Sequence, residues 1–489
     1  MAEPKSKLSE YRSKRDFDKT SEPEGGEDGD GRQRRFVVQE HHARSLHWDL
    51  RLERDGVLVS WAIPKGIPPD PKRNHLAVHV EDHPLEYVYF AGEIPTGEYG
   101  AGKVEIWDSG AYETHKWRRD EVMVTFHGDR LRGKYVLFQT RGKNWMIHRM
   151  DPPDPGREPM PDRVEPTMAR LSTLPEDEQG WGFEIKWDGL RAILYCEGGR
   201  VRLTNRNRRD ITMQYPELRA LGRALGAREV VLDGEIVVLD EHGKPRFELM
   251  QRRMHVGSES AVRKLVKAIP VVCMIFDLLY LDGHSTLALP YTERRSLLER
   301  LELGGAHWQV PAYHTGDGAA LLEASREQEL EGIVAKRLDS VYEPGKRSGA
   351  WRKVKNVSRQ ELVIGGWLPG QGARGETLGS LAVGYHDLTP AEAKRRQSPQ
   401  RLVYAGQVGT GFKQHDLERL MELLTPLRAE KSPFEGRQPP KQTVFVEPAL
   451  VAEVEFREWT RSRTLRAPAF KGLRDDEDPR EVVIELPEA

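Results

Sequence analysis

The segment QEHHARSLHWDLRLE, residues 39–53, places three histidines, one aspartate and two arginines around a tryptophan and leucines. In its second half His47, Asp49, Arg51 and Glu53 alternate with Trp48, Leu50 and Leu52. On a strand this alternation gives one apolar face for a core and one polar face for a cleft. Histidine with a carboxylate suits a divalent transition metal, and an arginine on the same face suits a phosphate. His41, six residues before His47, is placed to reach back as a third ligand, and VEDHPLEY at 80–87 adds His83 and Tyr87. The plain alternative is an amphipathic surface strand with histidines as polar filler.

A second constellation begins at FEIKWDGLRA, residues 183–192. Read as a strand, it puts Phe183, Ile185 and Trp187 on one face and Glu184, Lys186 and Asp188 on the other. Charge on a buried strand needs a reason, because an unpaired buried charge is costly. A Lys–Asp ion pair on a solvated face is one reading; a nucleophilic lysine is the other. A lysine attacks as the neutral amine, so its pKa must fall by desolvation or neighbouring cations. Phosphoryl transfer then needs cations around the phosphates and a metal held by carboxylates. Downstream, VLDGEIV puts Asp233 and Glu235 on one strand face, LEGIVAKR offers Glu331 and Lys336, and WRKVKN sets Lys353 and Lys355 two apart. IFDLLY offers Phe276, an aromatic able to stack on a base.

The elements that must position these residues are legible in outline. At about 100–200 residues per domain, 489 residues make two to four domains. Residues 1–33 read as a flexible arm, with SEPEGGEDGDG its clearest low-hydropathy stretch. From 34 to 150, short alternating segments punctuated by Gly, Pro and Asp predict a compact β barrel or sandwich. DPPDPGREPMPDRVE, 151–165, reads as a proline-rich linker. Residues 166–356 mix strands (EVVLDGEIVVLD, VVCMIFDLLYLDG) with amphipathic helices (YPELRALGRALGA, YTERRSLLERLE), an α+β domain. Residues 357–489 return to strands, interrupted by one helix at DLERLMELLTPLRAE, which fits an OB-type barrel.

Composition narrows the classes. Two cysteines, Cys196 and Cys273, supply neither a disulfide framework nor a cysteine-based zinc site. No apolar run approaches the roughly 20 residues of a membrane span, and the charged N-terminus lacks a signal peptide's apolar core; the cytoplasm is the expected compartment. Net charge is −2, so DNA contact would rest on local basic surface. Basic clusters stand at 32–35, 205–210, 251–255 and 393–397.

The ordered set from Lys186 to RAPAFKGLR at 466–474 resembles the covalent nucleotidyltransferases, specifically ATP-dependent DNA ligases, over roughly 165–480. The nucleophile motif of that family, Lys-x-Asp-Gly-x-Arg, stands here as Lys186-Trp187-Asp188-Gly189-Leu190-Arg191. The resemblance implies an adenylation domain and an OB-fold domain. It implies that Lys186 attacks the α-phosphate of ATP to form lysyl-AMP, with Glu184 and Arg206 in the nucleotide site and Arg191 and Glu235 on ribose and phosphate. Phe276 would stack on adenine, and Glu235 and Glu331 would place magnesium or manganese. Lys353 and Lys355 would neutralise the α-phosphate, and Arg466 and Arg474 would orient pyrophosphate. One departure follows Arg474: Asp475-Asp476-Glu477 stands where related ligases often have Glu-Asp-Lys. Capping guanylyltransferases and RNA ligases share the lysine core; the terminal arginine motif argues against most RNA ligases, nothing here resembles the capping partners, and two cysteines cannot make the zinc site of an NAD-dependent ligase.

The front segment resembles the 3′-phosphoesterase module of bacterial DNA ligase D, the ligase of non-homologous end joining, over about 8–150. The pattern His-x5-His-x-Asp-x-Arg is matched by His41, His47, Asp49 and Arg51, and Asp-His-Pro-Leu-(Asp/Glu)-Tyr by Asp82 to Tyr87. A KRDF…T.EP.G segment at 14–25 matches too, which makes Asp16 and Glu22 candidates and implies a partly ordered arm. By this resemblance His41, His47 and Asp49 bind manganese or a similar metal, Arg51, His83 and Tyr87 engage the scissile phosphate, and the product is a 3′-OH. A basic residue is expected where His75 stands, with Arg73 as a candidate helper. The implied partners are double-stranded DNA ends and nicks in the bacterial nucleoid and a Ku-like protein. The polymerase domain that family members often carry finds no room in 489 residues, so a separate polymerase chain is expected. A competing expectation makes the front module an inactive dock for DNA ends or for such a partner.

Overall fold

The computed structural model describes residues 7–25, 34–254, 256–370 and 378–486. Eight antiparallel strands between Arg35 and Arg149 close on themselves, because Arg35–His42 pairs with Leu46–Arg54 on one side and Gly102–Trp117 on the other. Alternation does what the sequence promised: Phe36, Val38, Trp48, Leu50 and Leu52 fill the interior with Trp61, Phe126 and Leu137. The opposite parity faces outward, where Val37 is covered by Tyr11, Tyr87, Phe90 and Ile94. The cover is why part of the expected flexible arm is not free. Tyr11, in the helix Ser9–Ser13, is fully buried and its hydroxyl donates to the Pro23 carbonyl at 2.7 Å.

The stretch 151–165 is likewise not a loose tether. Arg157 pairs with Glu229, the Glu158 amide donates to the Gly283 carbonyl at 2.7 Å, and the Val164 amide donates to the Tyr195 hydroxyl at 2.8 Å. Its prolines preclude regular pairing, yet side chains and amides moor it along the next domain.

That domain is two sheets. One orders Arg200–Asn205, Leu190–Glu197, Val230–Val237, Val272–Leu281, Trp308–Gln309 and Gly304–Gly305; the other orders Arg170–Leu171, Trp351–Lys355, Gly332–Arg337, Trp181–Ile185 and His314–Thr315. On Leu190–Glu197, Leu190, Ala192, Leu194 and Cys196 face helices such as Arg219–Leu225 and Tyr291–Glu299. Ile193 and Tyr195 face the space between the sheets, with Phe276 and Trp351. Parity therefore sends Arg191 into that space. Helix Arg219–Leu225 stops at Gly226, whose φ of 59° suits glycine.

The last module is a six-stranded sheet ordered Phe434–Glu435, Leu402–Val408, Leu378–His386, Ser358–Pro369, Val444–Phe456 and Ala469–Leu473. A bridge between Thr410 and Ala469 draws its ends together, and helix Gln414–Leu424 packs on the core. The single helix expected here has a companion: the basic cluster at 393–397 ends a short helix, Pro390–Arg396, started by a Thr389/Glu392 capping box.

FEIKWDGLRA is not one strand. Pairing stops at Ile185, and the Lys186 amide donates to the Gly332 carbonyl at 2.9 Å; Lys186 to Gly189 then cross from one sheet to the other. A Cβ at Gly189 would lie 2.2 Å from the Ile236 carbonyl oxygen, so only glycine fits the crossing. The alternation expected of Glu184, Lys186 and Asp188 is replaced by a turn that hangs the lysine at the mouth between two sheets.

Candidate functional site

On the outer wall of the barrel His41 and His47 stand directly opposite across the first hairpin, and Asp49 opposes Gln39. His41 Nε2–H donates to the Gly100 carbonyl at 2.7 Å and His47 Nδ1–H to the Ser45 carbonyl at 2.9 Å. These bonds leave His41 Nδ1 and His47 Nε2 as lone pairs, 3.6 and 3.7 Å from the Asp49 carboxylate. A ring whose far nitrogen is held by a carbonyl is how metal-binding histidines are oriented. Among the described residues these three form the one cluster whose ligand atoms all lie within 4.8 Å of one another. Burial resists ionisation of Asp49, but Arg51 and the two histidines outweigh it and hold its carboxyl well below the usual range. The donor set fits a transition metal.

Arg51 is fixed three ways: Nη2 to Asp49 at 2.9 Å, Nε to Gln39 at 2.7 Å and Nη1 to Ser60 at 3.0 Å. Its guanidinium lies 4.7 Å from the Tyr87 ring centroid. His83 Nδ1–H donates to the Glu81 carbonyl at 2.9 Å, and Arg15 reaches its Nε2 at 3.3 Å. Burial, reinforced by Arg51 and Arg15, pushes that imidazole well below its ordinary value, so it is neutral. Glu22 accepts from Arg15 at 2.8 Å and from the Tyr87 hydroxyl at 2.9 Å. His41, His47, Asp49, Arg51, His83 and Tyr87 thus meet on one face, with Glu22 behind them. Arg15 joins them from the arm, foreshadowed only by the KRDF segment. Asp16 does not: its half-buried side chain pairs with Lys19 at 2.7 Å.

His75 does not stand in for a cation. It shares strand parity with Ala77, which packs in the barrel interior, away from the outer-wall site. It donates to the Gly66 carbonyl at 2.7 Å, and burial lowers its pKa. Arg73 instead pairs with Glu197 of the next domain at 2.6 Å.

Between the two sheets a cavity is lined by Glu184, Lys186, Asp188, Arg191, Arg206, Glu235, Phe276, Glu331, Lys353 and Arg474. Lys186 Nζ donates to Glu331, which also pairs with Lys355 at 3.1 Å. Burial resists charge on Glu331, but the two lysines bring its carboxyl down to about 2. Arg191 makes two bonds of 2.6 Å to Asp233 and lies 4.5 Å from the Phe276 centroid. Lys336 sits 4.2 Å from the Trp351 centroid and pairs with Glu184 at 2.8 Å, with its charge disfavoured by burial. Burial also pushes Glu235 up to about 8. Asp188 meets Arg359 at 3.3 Å, with burial and then Glu331 raising its pKa.

The far wall comes from the last module and is acidic. Arg206 pairs with Glu477, Lys353 with Glu485 at 2.7 Å, Arg347 with Glu485 at 2.5 Å, and Arg474 with Asp476 at 2.8 Å. Glu485, Arg347 and Arg359 carried no recognisable motif. Arg466 is a correction: it lies on a separate hairpin, bonds Glu458 at 2.6 Å and is outside the cavity, because the chain turns at Ala467 (φ 51°) before the strand that delivers Arg474. Glu235 and Glu331 do not form a metal cluster by themselves, as Glu331 is held by the two lysines. Magnesium typically takes one or two carboxylates and completes its shell with substrate phosphates and water, so these residues fit a metal that arrives with a triphosphate.

Comparison with known proteins gives three family matches: a DNA ligase D 3′-phosphoesterase domain over residues 39–139, an ATP dependent DNA ligase domain over 164–355 and an ATP dependent DNA ligase C terminal region over 374–477. The chain is 45% identical to the multifunctional non-homologous end joining DNA repair protein LigD of Mycobacterium tuberculosis over 490 residues, 98% of this chain and 61% of that protein. It is 35% identical to the multifunctional non-homologous end joining protein LigD of Pseudomonas aeruginosa, over 98% of this chain and 62% of that one. It therefore spans less than two thirds of these relatives. A solved mycobacterial DNA ligase D complexed with ATP and MES is 41% identical, covering 65% of this chain and 98% of the other, with a TM-score of 0.47.

Proposed function

The chain belongs to the bacterial DNA ligase D family, and from that premise we propose that it is an ATP-dependent DNA ligase fused to a metal-dependent 3′-phosphoesterase, acting in double-strand break repair by non-homologous end joining. The observation that carries the reading is the pairing of two separate centres in one chain. One is an amine at the mouth of a cavity lined by cations and the carboxylates paired with them; the other is two imidazole lone pairs converging on a carboxylate beside a fixed arginine.

In the first ligase step the Lys186 amine, freed of its proton, forms a bond to the α-phosphorus of ATP as the bond to pyrophosphate breaks. Lys353, Lys355 and Arg474 neutralise charge that grows on the phosphates, a stabilisation that is large in a water-poor site. Phe276 offers its face to adenine, while Arg191, held by Asp233, orients ribose. Glu235 and Glu331 would hold magnesium or manganese, which would offset charge on the phosphates. The adenylyl group then passes to a 5′-phosphate, and a 3′-OH displaces it.

That 3′-OH is what the front module makes. Manganese or a similar ion held by His41, His47 and Asp49 would polarise a phosphoester and lower the pKa of a bound water. Arg51 and Arg15 grip the phosphate oxygens, neutral His83 offers an unprotonated Nε2 that can take a proton, and Tyr87 is steadied by Glu22. The substrates are DNA ends and nicks, with a Ku-like end-binding partner and a place in the bacterial nucleoid as further parts of the proposal. No helix among the described residues is long and apolar enough to cross a membrane.

Joining of a nick that carries a 3′-phosphate tests the whole. Wild type with ATP, magnesium and manganese should seal it. Lys186→Ala should remove the phosphate without sealing, and His47→Ala should form lysyl-AMP yet seal only 3′-OH nicks. Equal phosphate removal by wild type and His47→Ala would leave the front module as a dock.

A further inference from the structure

The rim of the His41 pocket carries an aromatic side chain that neither the metal ligands nor the phosphate-gripping residues use. Tyr99 stands on the loop between Ile94 and Gly102, whose Gly97 and Gly100 adopt φ of 102° and 80°. The loop is pinned to the centre itself, because the Gly100 carbonyl takes the His41 Nε2 proton. One residue away, Tyr99 leaves 49% of its surface exposed. Two cations lie over its ring: Lys14 Nζ at 5.0 Å, itself paired with Glu10 and Glu81 at 3.0 Å, and the Arg15 guanidinium carbon at 5.6 Å from the centroid. That same guanidinium touches His83 Nε2 at 3.3 Å. Ring, cations and phosphate-gripping groups are therefore contiguous.

The barrel's other exposed tyrosine makes a useful contrast. Tyr89 is 72% exposed and bonds Arg35 at 2.8 Å. Arg35 lies six residues from His41 on the same strand, about 20 Å away. Of the two, Tyr99 is the one beside His41, next to Gly100. An exposed aromatic face beside cations is the arrangement on which unpaired bases stack, and every base offers a π-face to it.

We propose that Tyr99 is a stacking platform for the nucleobase at the 3′ end of the strand being healed, with Lys14 drawn to the next phosphate along that strand. The inference rests on the phosphoesterase reading of the pocket and deepens it: the ligand is a nucleotide end recognised by its base plane and charge, without base identity. With the scissile phosphate at Arg15 and Arg51, the attached sugar puts its base against the Tyr99 ring. Tyr99 acts as a positioning residue, so its loss should raise KM and spare kcat.

The probe is a primer–template carrying 2-aminopurine as its 3′-terminal base and a 3′-phosphate, mixed with the full chain without metal. Stacking quenches 2-aminopurine fluorescence. Wild type and Tyr99→Phe should quench it, while Tyr99→Ala and Tyr99→Leu should lose the quench and bind about tenfold more weakly. With manganese, Tyr99→Ala should show KM about tenfold higher at nearly unchanged kcat. Manganese binding by the variants, read by electron paramagnetic resonance, should match wild type and so show an intact pocket. Quenching by Tyr99→Ala equal to wild type, or none by wild type, overturns the proposal. A wild type that quenches through Tyr99 yet removes no 3′-phosphate with manganese would overturn the phosphoesterase reading alone.

Discussion

Glu477 stands where the resemblance led us to expect a lysine, and it occupies the nucleotide cavity bonded to Arg206. ATP must break that pair to reach the arginine, so Glu477→Gln should favour the first step. A hydrogen bond to a charged group contributes about 1.5–3 kcal/mol net. Arg206 keeps 24% of its side chain exposed, so the lower end applies, and about 1.5 kcal/mol corresponds to about tenfold in apparent ATP affinity. The pH dependence makes the prediction specific. Burial, aided by Glu361 and Asp476 against the pull of Arg206, pushes the Glu477 carboxyl up to about 7. A raised carboxyl pKa means the competing charge is absent below that value and present above it. Glutamine mimics only the protonated form. The ratio of variant to wild-type lysyl-AMP formation should therefore be near one at about pH 6, about five at about pH 8, and approach about ten above about pH 9. Single-turnover labelling with limiting ATP measures it, and taking the ratio cancels any pH dependence common to both proteins. A ratio flat across this range, or a variant slower throughout, would refute the competition.

Three more outcomes follow from the geometry. Asp49→Asn removes the charge on which both histidine lone pairs converge. Manganese affinity, read by calorimetry, should fall beyond the roughly 10–100-fold cost of losing a mere outer-shell partner, while lysyl-AMP forms normally; unchanged affinity would dissolve the metal site. Glu22→Ala leaves buried Arg15 with Glu81 alone, at 3.3 Å, and the Tyr87 hydroxyl without its acceptor. Breaking a buried pair costs about 3–5 kcal/mol, so the transition reported by barrel tryptophans should move to clearly lower urea, and a shift worth under about 1 kcal/mol would contradict the assigned contact. Arg191→Lys loses the two-pronged bond to Asp233 and the flat contact with Phe276; lysyl-AMP formation should drop about 10–100-fold, and a drop under about twofold would show that the fork is dispensable.

The chemistry was largely local and the errors were not. Alternation in LHWDLRLE needed only the two-residue period of a strand to part Trp48, Leu50 and Leu52 from His47, Asp49 and Arg51, and the barrel kept that partition. The same rule failed three residues into FEIKWDGLRA, because a strand ends where its partners end, and the partner register runs out at Ile333. Arg466 and Arg474 look equivalent in RAPAFKGLR, yet a turn between them sends only the second into the cavity.

What the sequence determined by itself is which side chains carry chemistry and roughly which elements bear them, since residue type and short-range period are properties of the chain alone. What tertiary structure decided is who meets whom. Arg15 reaches His83 from 68 positions away, Glu485 closes on Lys353 from 132, and His75 turns inward, because closure of the barrel and the docking of one sheet on another set those distances, and no local pattern encodes them.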